Sequence, residues 1–218
     1  MNRWLVGLFL AAGVALLAAA VLGRLGPAPE ALPPTALELL APEPVQGDAP
    51  ALRLARAGGG ELELSSLRGR WLLVNFWATW CEPCLQELPH LAVLAAALAD
   101  RPVTLALVSV DERWEDVAEL GRGLERAAGE RPEAARPMRV AAGLLAGKLP
   151  GVLLLHDPGE RAAHAFGTFK YPETWLVDPE GRLRLRFVGA KAWGAREAID
   201  HLRAALGGAP EEERGATP

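Results

Sequence analysis

Trp71-Leu72-Leu73-Val74-Asn75-Phe76-Trp77-Ala78-Thr79-Trp80-Cys81-Glu82-Pro83-Cys84 is the stretch whose reading decides the fold. Trp71–Phe76 is a nearly continuous apolar run, as expected of a strand covered on both faces. Pro83–Asp100 reads as a helix, because Leu85, Leu88, Leu91, Leu94 and Leu98 recur at spacings of three or four. Two cysteines therefore open a helix directly after a buried strand. Cys81 falls at the helix N-terminus, where unpaired amides and the helix dipole stabilise a thiolate. Pro83 suits the first turn, where a missing N–H costs little. Cys84 lies about one turn in, close enough to close a small disulfide and less accessible. In this reading Cys81 attacks, and Cys84 resolves the mixed disulfide that a single cysteine would leave in place.

Outward from this segment, Val103–Val110 reads as a second buried strand and Trp114–Gly129 as an amphipathic helix. Glu130–Pro150 is less regular, holds Pro132, Pro137 and Pro150, and is expected to be a surface loop or insertion. Val152–Leu155, Glu173–Val177 and Leu183–Val188 read as strands, the last two joined by a Pro179–Gly181 turn. Leu52–Leu54 and Glu61–Leu64 look like short strands around Gly58–Gly60, and Ala195–Leu206 like a closing helix. Alternating strands and helices, then a hairpin and a helix, imply an α/β fold: a mixed sheet with helices on both faces. The folded part, residues 48–207, has about 160 residues, an ordinary single-domain size.

Trp4–Gly23 is an apolar run near the ~20 residues a bilayer helix needs, flanked by Arg3 and Arg24. A cleaved signal peptide could use Ala18 and Ala20, but its apolar core would normally be shorter. The length favours an uncleaved anchor over residues 1–24, with the rest of the chain exported. Residues 25–47, with Pro27, Pro29, Pro33, Pro34, Pro42 and Pro44, read as a stiff, extended linker in which Thr35–Leu40 has room for one helical turn. Residues 208–218 read as a solvated tail.

The 218 residues are half apolar and carry a net charge of −4, which excludes a protein driven mainly by phosphate attraction, so no nucleic-acid partner is expected. Two cysteines cannot make a four-thiolate zinc site, and His90, His156, His164 and His201 lack ligand-like spacing. A haem-attachment motif needs histidine directly after Cys84, where Leu85 stands. A purely structural disulfide over so short a loop constrains the unfolded chain little. Redox use of the pair is the reading that survives.

The run Asn75–Cys84, taken with Tyr171-Pro172-Glu173-Thr174-Trp175-Leu176-Val177-Asp178-Pro179-Glu180-Gly181, resembles the TlpA/ResA-like branch of the thioredoxin superfamily, which includes DsbE-type cytochrome c biogenesis proteins. The likeness spans roughly Ala49 to Leu206. It implies a thioredoxin-like fold on the periplasmic or outer side of a bacterial cytoplasmic membrane. It also implies electron transfer to disulfides of exported proteins, apocytochrome c among them, with an upstream membrane thiol donor.

Carried over by residue, the resemblance makes Cys81 and Cys84 the redox pair and Pro172 the cis-proline facing it, leaving the Tyr171 backbone free to pair with an extended substrate. Asn75 departs from thioredoxin, which has a buried aspartate there; Glu87, three residues after Cys84, takes the acid–base position and exchanges the Cys84 proton. Glu173 is expected near the site, and Trp77 and Trp80 as packing, with Trp80 a candidate for the docking surface. The Glu82 carboxylate between the cysteines opposes a Cys81 thiolate and tunes the couple toward reduction. No metal and no organic cofactor is required, since the pair itself carries two electrons.

Two rivals remain. A peroxiredoxin-type peroxidase calls for P-x-x-x-T-x-x-C, but Val74 and Ala78 occupy the proline and threonine places. A non-enzymatic apocytochrome-binding module would keep the groove without the chemistry.

Overall fold

The computed structural model describes residues 35–206. The apolar run Trp4–Gly23 and the acidic tail lie outside the described residues. Among the described residues no helix is long and apolar enough to cross a membrane.

One eight-stranded mixed sheet organises the domain. Its centre is β4 (Trp71–Trp77), parallel to β5 (Val103–Ser109), which is in turn parallel to β6 (Val152–His156). β7 (Glu173–Val177) runs antiparallel on the other side of β4, and β8 (Leu183–Val188) is antiparallel to β7. Beyond β6 come β2 (Arg53–Arg56) and β3 (Glu61–Glu63); beyond β8 comes the two-residue β1 (Glu43–Pro44). All seven residues of β5 and six of seven in β4 are buried. Both faces of these strands are therefore covered, which explains why their sequences are apolar without alternation.

The covering helices are α1 (Ala36–Leu40), α2 (Glu82–Ala97), α3 (Trp114–Glu130), α4 (Ala135–Leu145), α5 (Arg161–Phe166) and α6 (Arg196–Leu206). The leucine spacing of α2 does its expected work, since Leu88, Leu91 and Leu94 are almost fully buried. At the β7–β8 hairpin, Gly181 adopts φ +89° and donates its N–H to the Asp178 carbonyl at 2.9 Å, a backbone region that favours glycine.

Three expectations need correction. Residues 130–150 are not a loop: after a 3-10 turn at Pro132–Ala134 the chain forms α4, which packs on α2 and α3 and buries Ala141, Ala142, Leu144 and Leu145. Pro137 falls in the first turn, where its missing N–H has no intrahelical partner to lose, so the prolines mark the start of a helix rather than its absence. The extended linker ends earlier than residue 47, because α1 and β1 belong to the domain. Leu40 is buried against the core, α1 packs on α6, and β1 pairs with β8. Finally, α5 occupies a stretch with no expected element. Asp157 caps it by accepting from the N–H groups of Ala162 and Ala163 at 2.9 and 3.0 Å.

Candidate active site

β4, β5 and β6 all deliver their C-terminal ends to one edge of the sheet, where an open parallel sheet places its functional groups. The chain leaving β4 turns through Ala78, Thr79 and Trp80 and enters α2 with Cys81 as the capping residue. Cys81 and Cys84 are joined as a disulfide, S–S 2.09 Å and Cα–Cα 5.3 Å. Cys81 Sγ accepts the Cys84 N–H at 3.3 Å, so the cap is the sulfur itself. Residue exposure is 6% for Cys81 and 1% for Cys84, a smaller contrast than an exposed nucleophile in front of a buried partner would give. Glu82, between them, is exposed.

The turn before Cys81 is pinned by a residue that the sequence reading passed over. Asp111, just past β5 and buried, accepts from the Thr79 N–H at 3.1 Å, the Thr79 hydroxyl at 2.6 Å and the Ser109 hydroxyl at 2.7 Å. Its own carbonyl accepts from His156 Nε2 at 2.7 Å; a carbonyl only accepts, so Nε2 carries the proton. Thr79 and Asp111 lie 32 residues apart. The available signal was positional: Ser109, Asp111 and His156 all sit where parallel strands end.

Glu87 lies one turn beyond Cys84 and is buried at 2% exposure. Its Oε1 accepts from the Lys191 N–H at 3.0 Å and from Trp193 Nε1, and its Oε2 from Asn75 Nδ2 at 3.3 Å. Burial pushes its pKa up to about 7, with the bonds from Lys191, Trp193 and Asn75 pulling partly back. Asn75 Nδ2 also donates to Thr174 Oγ1 at 2.9 Å, while Asn75 Oδ1 is buried without a partner. The contact with β7 is fixed by register, since Asn75 pairs with Thr174 across the β4–β7 ladder.

The Tyr171–Pro172 bond is cis. Among the described residues no backbone hydrogen bond uses the N–H or carbonyl of Tyr171. Its hydroxyl donates to Glu160 Oε2 at 2.7 Å, and burial together with that carboxylate holds the phenol above its ordinary pKa. Glu173 follows Pro172 and is buried; burial raises its pKa, offset in part by Arg186 Nε 3.8 Å from Oε1. Trp77 is wholly internal, whereas Trp80 is 65% exposed and meets the Tyr171 ring edge-on at 5.9 Å. The described residues thus place Cys81 at the cap of α2 and Cys84 and Glu87 within it, with Tyr171 and Pro172 on the loop leading into β7 and Glu173 as the first residue of that strand, the direct neighbour of β4.

The chain is similar to known proteins. The AhpC/TSA family model matches residues 45–186. Thiol-disulfide oxidoreductase ResA of Bacillus subtilis (strain 168) is 29% identical over 136 residues, which is 62% of this chain and 63% of ResA, so the match spans less than two thirds of that relative. Thiol:disulfide interchange protein HelX of Rhodobacter capsulatus is 30% identical over 144 residues, 65% of this chain and 66% of HelX. Among solved structures, a DsbE-type thiol:disulfide interchange protein of Chlorobium tepidum superposes with a TM-score of 0.55 at 21% identity, covering 74% of this chain and 96% of that one, and supports the thioredoxin-like fold. With the family model covering most of the described domain, the chain belongs to the AhpC/TSA family, has a thioredoxin-like fold, and is similar to the ResA- and HelX-type proteins.

Proposed function

We propose that the protein reduces disulfides of exported proteins from a bacterial cytoplasmic membrane, with apocytochrome c as its substrate during cytochrome c maturation. The observation that carries this reading is a cysteine pair capping α2 with a buried carboxyl one turn behind it. The apolar run at Trp4–Gly23, close to the length a bilayer helix needs, supports the tether.

In the reduced protein the Cys81 thiolate attacks one sulfur of the target disulfide. A mixed disulfide forms and one target cysteine leaves as a thiolate. Cys84 then gives its proton to Glu87 and attacks Cys81 Sγ. The second target thiolate leaves, the Cys81–Cys84 disulfide closes, and two electrons have passed to the target. A dithiol donor in the membrane reverses the exchange. A carboxyl whose pKa is about 7 can both take and return a proton near neutrality, which an ordinary glutamate does poorly. Glu82 sets the direction: its charge beside Cys81 disfavours the thiolate, hence the reduced form, and makes the couple more reducing.

The midpoint potential of the Cys81–Cys84 pair tests the direction. It is expected well below the roughly −120 mV of a strong periplasmic oxidant, and a value near that figure overturns reduction. Consumption of hydrogen peroxide as fast as disulfide reduction would favour a peroxidase instead.

Limiting iodoacetamide should label Cys81 first in the reduced protein, because its sulfur caps the helix and receives the Cys84 N–H. Mapping the modified residue checks this, and preferential labelling of Cys84 reverses the two roles.

A further inference from the structure

The Asn75 side-chain amide is bonded at one end only. Its Nδ2 uses both hydrogens, one to Glu87 Oε2 at 3.3 Å and one to Thr174 Oγ1 at 2.9 Å, whereas its Oδ1 is buried without a partner among the described residues. Asn75, Thr174 and Glu87 are all 2% exposed or less, so bulk water does not reach the group. Turned by about 180° around its last bond, the amide again leaves one end unpartnered, so that orphan does not choose between the two orientations. The Thr174 hydroxyl suits both, since by rotating it either accepts from an N–H or donates to a carbonyl. Glu87 does choose. Its Oε1 already accepts from the Lys191 N–H and from Trp193 Nε1, so a proton on this carboxyl resides on Oε2, the oxygen facing Asn75. An N–H suits that oxygen when it is charged, and a carbonyl suits it when it carries hydrogen.

We propose that the Asn75 amide turns over with the protonation of Glu87, donating from Nδ2 to the carboxylate and accepting at Oδ1 from the carboxylic acid, with Thr174 serving both orientations. Asn75 and Thr174 are thus positioning residues for the resolving step, and the proposal rests on the oxidoreductase reading. As Cys84 gives up its S–H proton, Oε2 gains it and the amide turns. Oδ1 then holds the new O–H while the Cys84 thiolate attacks Cys81 Sγ. When the donor dithiol reduces the pair again, the proton returns to Cys84 and the amide swings back. A fixed donor would favour the carboxylate alone and bias Glu87 toward one direction of transfer. The other groups facing Glu87 cannot follow its charge in this way. Lys191 and Trp193 offer N–H groups that never become acceptors, and the Lys191 ammonium adds a nearby positive charge. Glu173, the neighbour of Thr174 on β7, falls on the opposite face of the sheet.

The sequence holds two asparagines, Asn2 and Asn75, so labelling the full chain with side-chain nitrogen-15 asparagine gives two amide signals, and N75S identifies which is Asn75. In the disulfide form neither cysteine titrates. There the Asn75 amide hydrogens should show cross-relaxation with Thr174 at about pH 8.5 that weakens at least threefold by about pH 5.5, with its midpoint at the Glu87 value of about 7. E87Q, which does not titrate, should keep one pattern throughout. Equal cross-relaxation at both ends of the range in the parent, or an equal change in E87Q, overturns the proposal. T174V, close to isosteric, should slow Cys84-dependent release about fivefold and leave the first attack by Cys81 unchanged. Unaltered release in T174V overturns the use of the amide in the exchange. If the parent reduces disulfides and the amide does not turn, this proposal alone fails. If the amide turns and no disulfide is reduced, the oxidoreductase reading fails, and the role given to the amide with it.

Discussion

Cys84→Ser is expected to cut multiple turnover by about 10³-fold or more while leaving the first attack intact. Cys81 still opens the target disulfide, but a serine hydroxyl cannot attack the mixed disulfide at neutral pH. The covalent intermediate therefore accumulates. Folding should survive, because the change is close to isosteric and adds one buried hydroxyl at a cost of about 1 kcal/mol. Non-reducing gels of membrane extracts, followed by mass spectrometry, read out the captured species. An apocytochrome c joined through one cysteine of its haem-binding pair is the expected product. Capture of unrelated exported disulfide proteins alone would leave the oxidoreductase standing and remove the cytochrome role. Pro172→Ala should change the yield of trapped complexes, since Pro172 and Tyr171 together present the edge on which the target segment lies.

Much of this site was legible because its core is local. A buried strand, two cysteines three apart and a helical leucine pattern lie within one short segment, and each obeys a spacing rule that needs no knowledge of the fold. Pro172 and Tyr171 became legible through family resemblance. What escaped were contacts between residues far apart in the chain. Asp111 reaches Thr79 across 32 residues, and Trp193 reaches Glu87 across 106, so no periodicity could bring either pair together. Glu160 and Tyr171 are only 11 apart, yet the six residues of α5 between them are too few to show a helical repeat. Prolines misled at α4, where Pro132 opens the preceding 3-10 turn and Pro137 sits in the first turn of the helix, though both read from the sequence as breakers. The same holds for residues 35–47. Their proline content suggested a tether, while the short, largely apolar run Ala36–Ala41 contributes Leu40, which docks the segment on the core.

Glu87→Gln should change both the stability and the reactivity of the protein as functions of pH, and the two effects have one cause. The folded carboxyl titrates at about 7 and the unfolded one near 4.5. Between those values the folded state holds a proton that the unfolded state has released, so protonation favours folding. The stabilisation is fully present below 4.5 and disappears as pH rises through 7. Its size over the whole window is about 3 kcal/mol. Glutamine does not titrate. It keeps an oxygen for the Lys191 and Trp193 donors, and its amide can turn toward the unpartnered Asn75 Oδ1. Glu173, also raised by burial, is present in both proteins and cancels in the comparison. Urea unfolding of parent and variant from pH 4.5 to 8 should therefore diverge, with the variant gaining up to about 3 kcal/mol on the parent at the alkaline end. Parallel curves would mean that Glu87 does not hold its proton in the folded state. In the reduced proteins the same substitution should remove an inflection near pH 7 from the rate of Cys84-dependent disulfide release, because the proton acceptor one turn away is gone. Divergent stability with superimposable rate profiles would identify Glu87 as a buried acid that plays no part in the exchange. Divergence in both ties the burial that destabilises the charged carboxyl to the proton transfer that lets Cys84 attack.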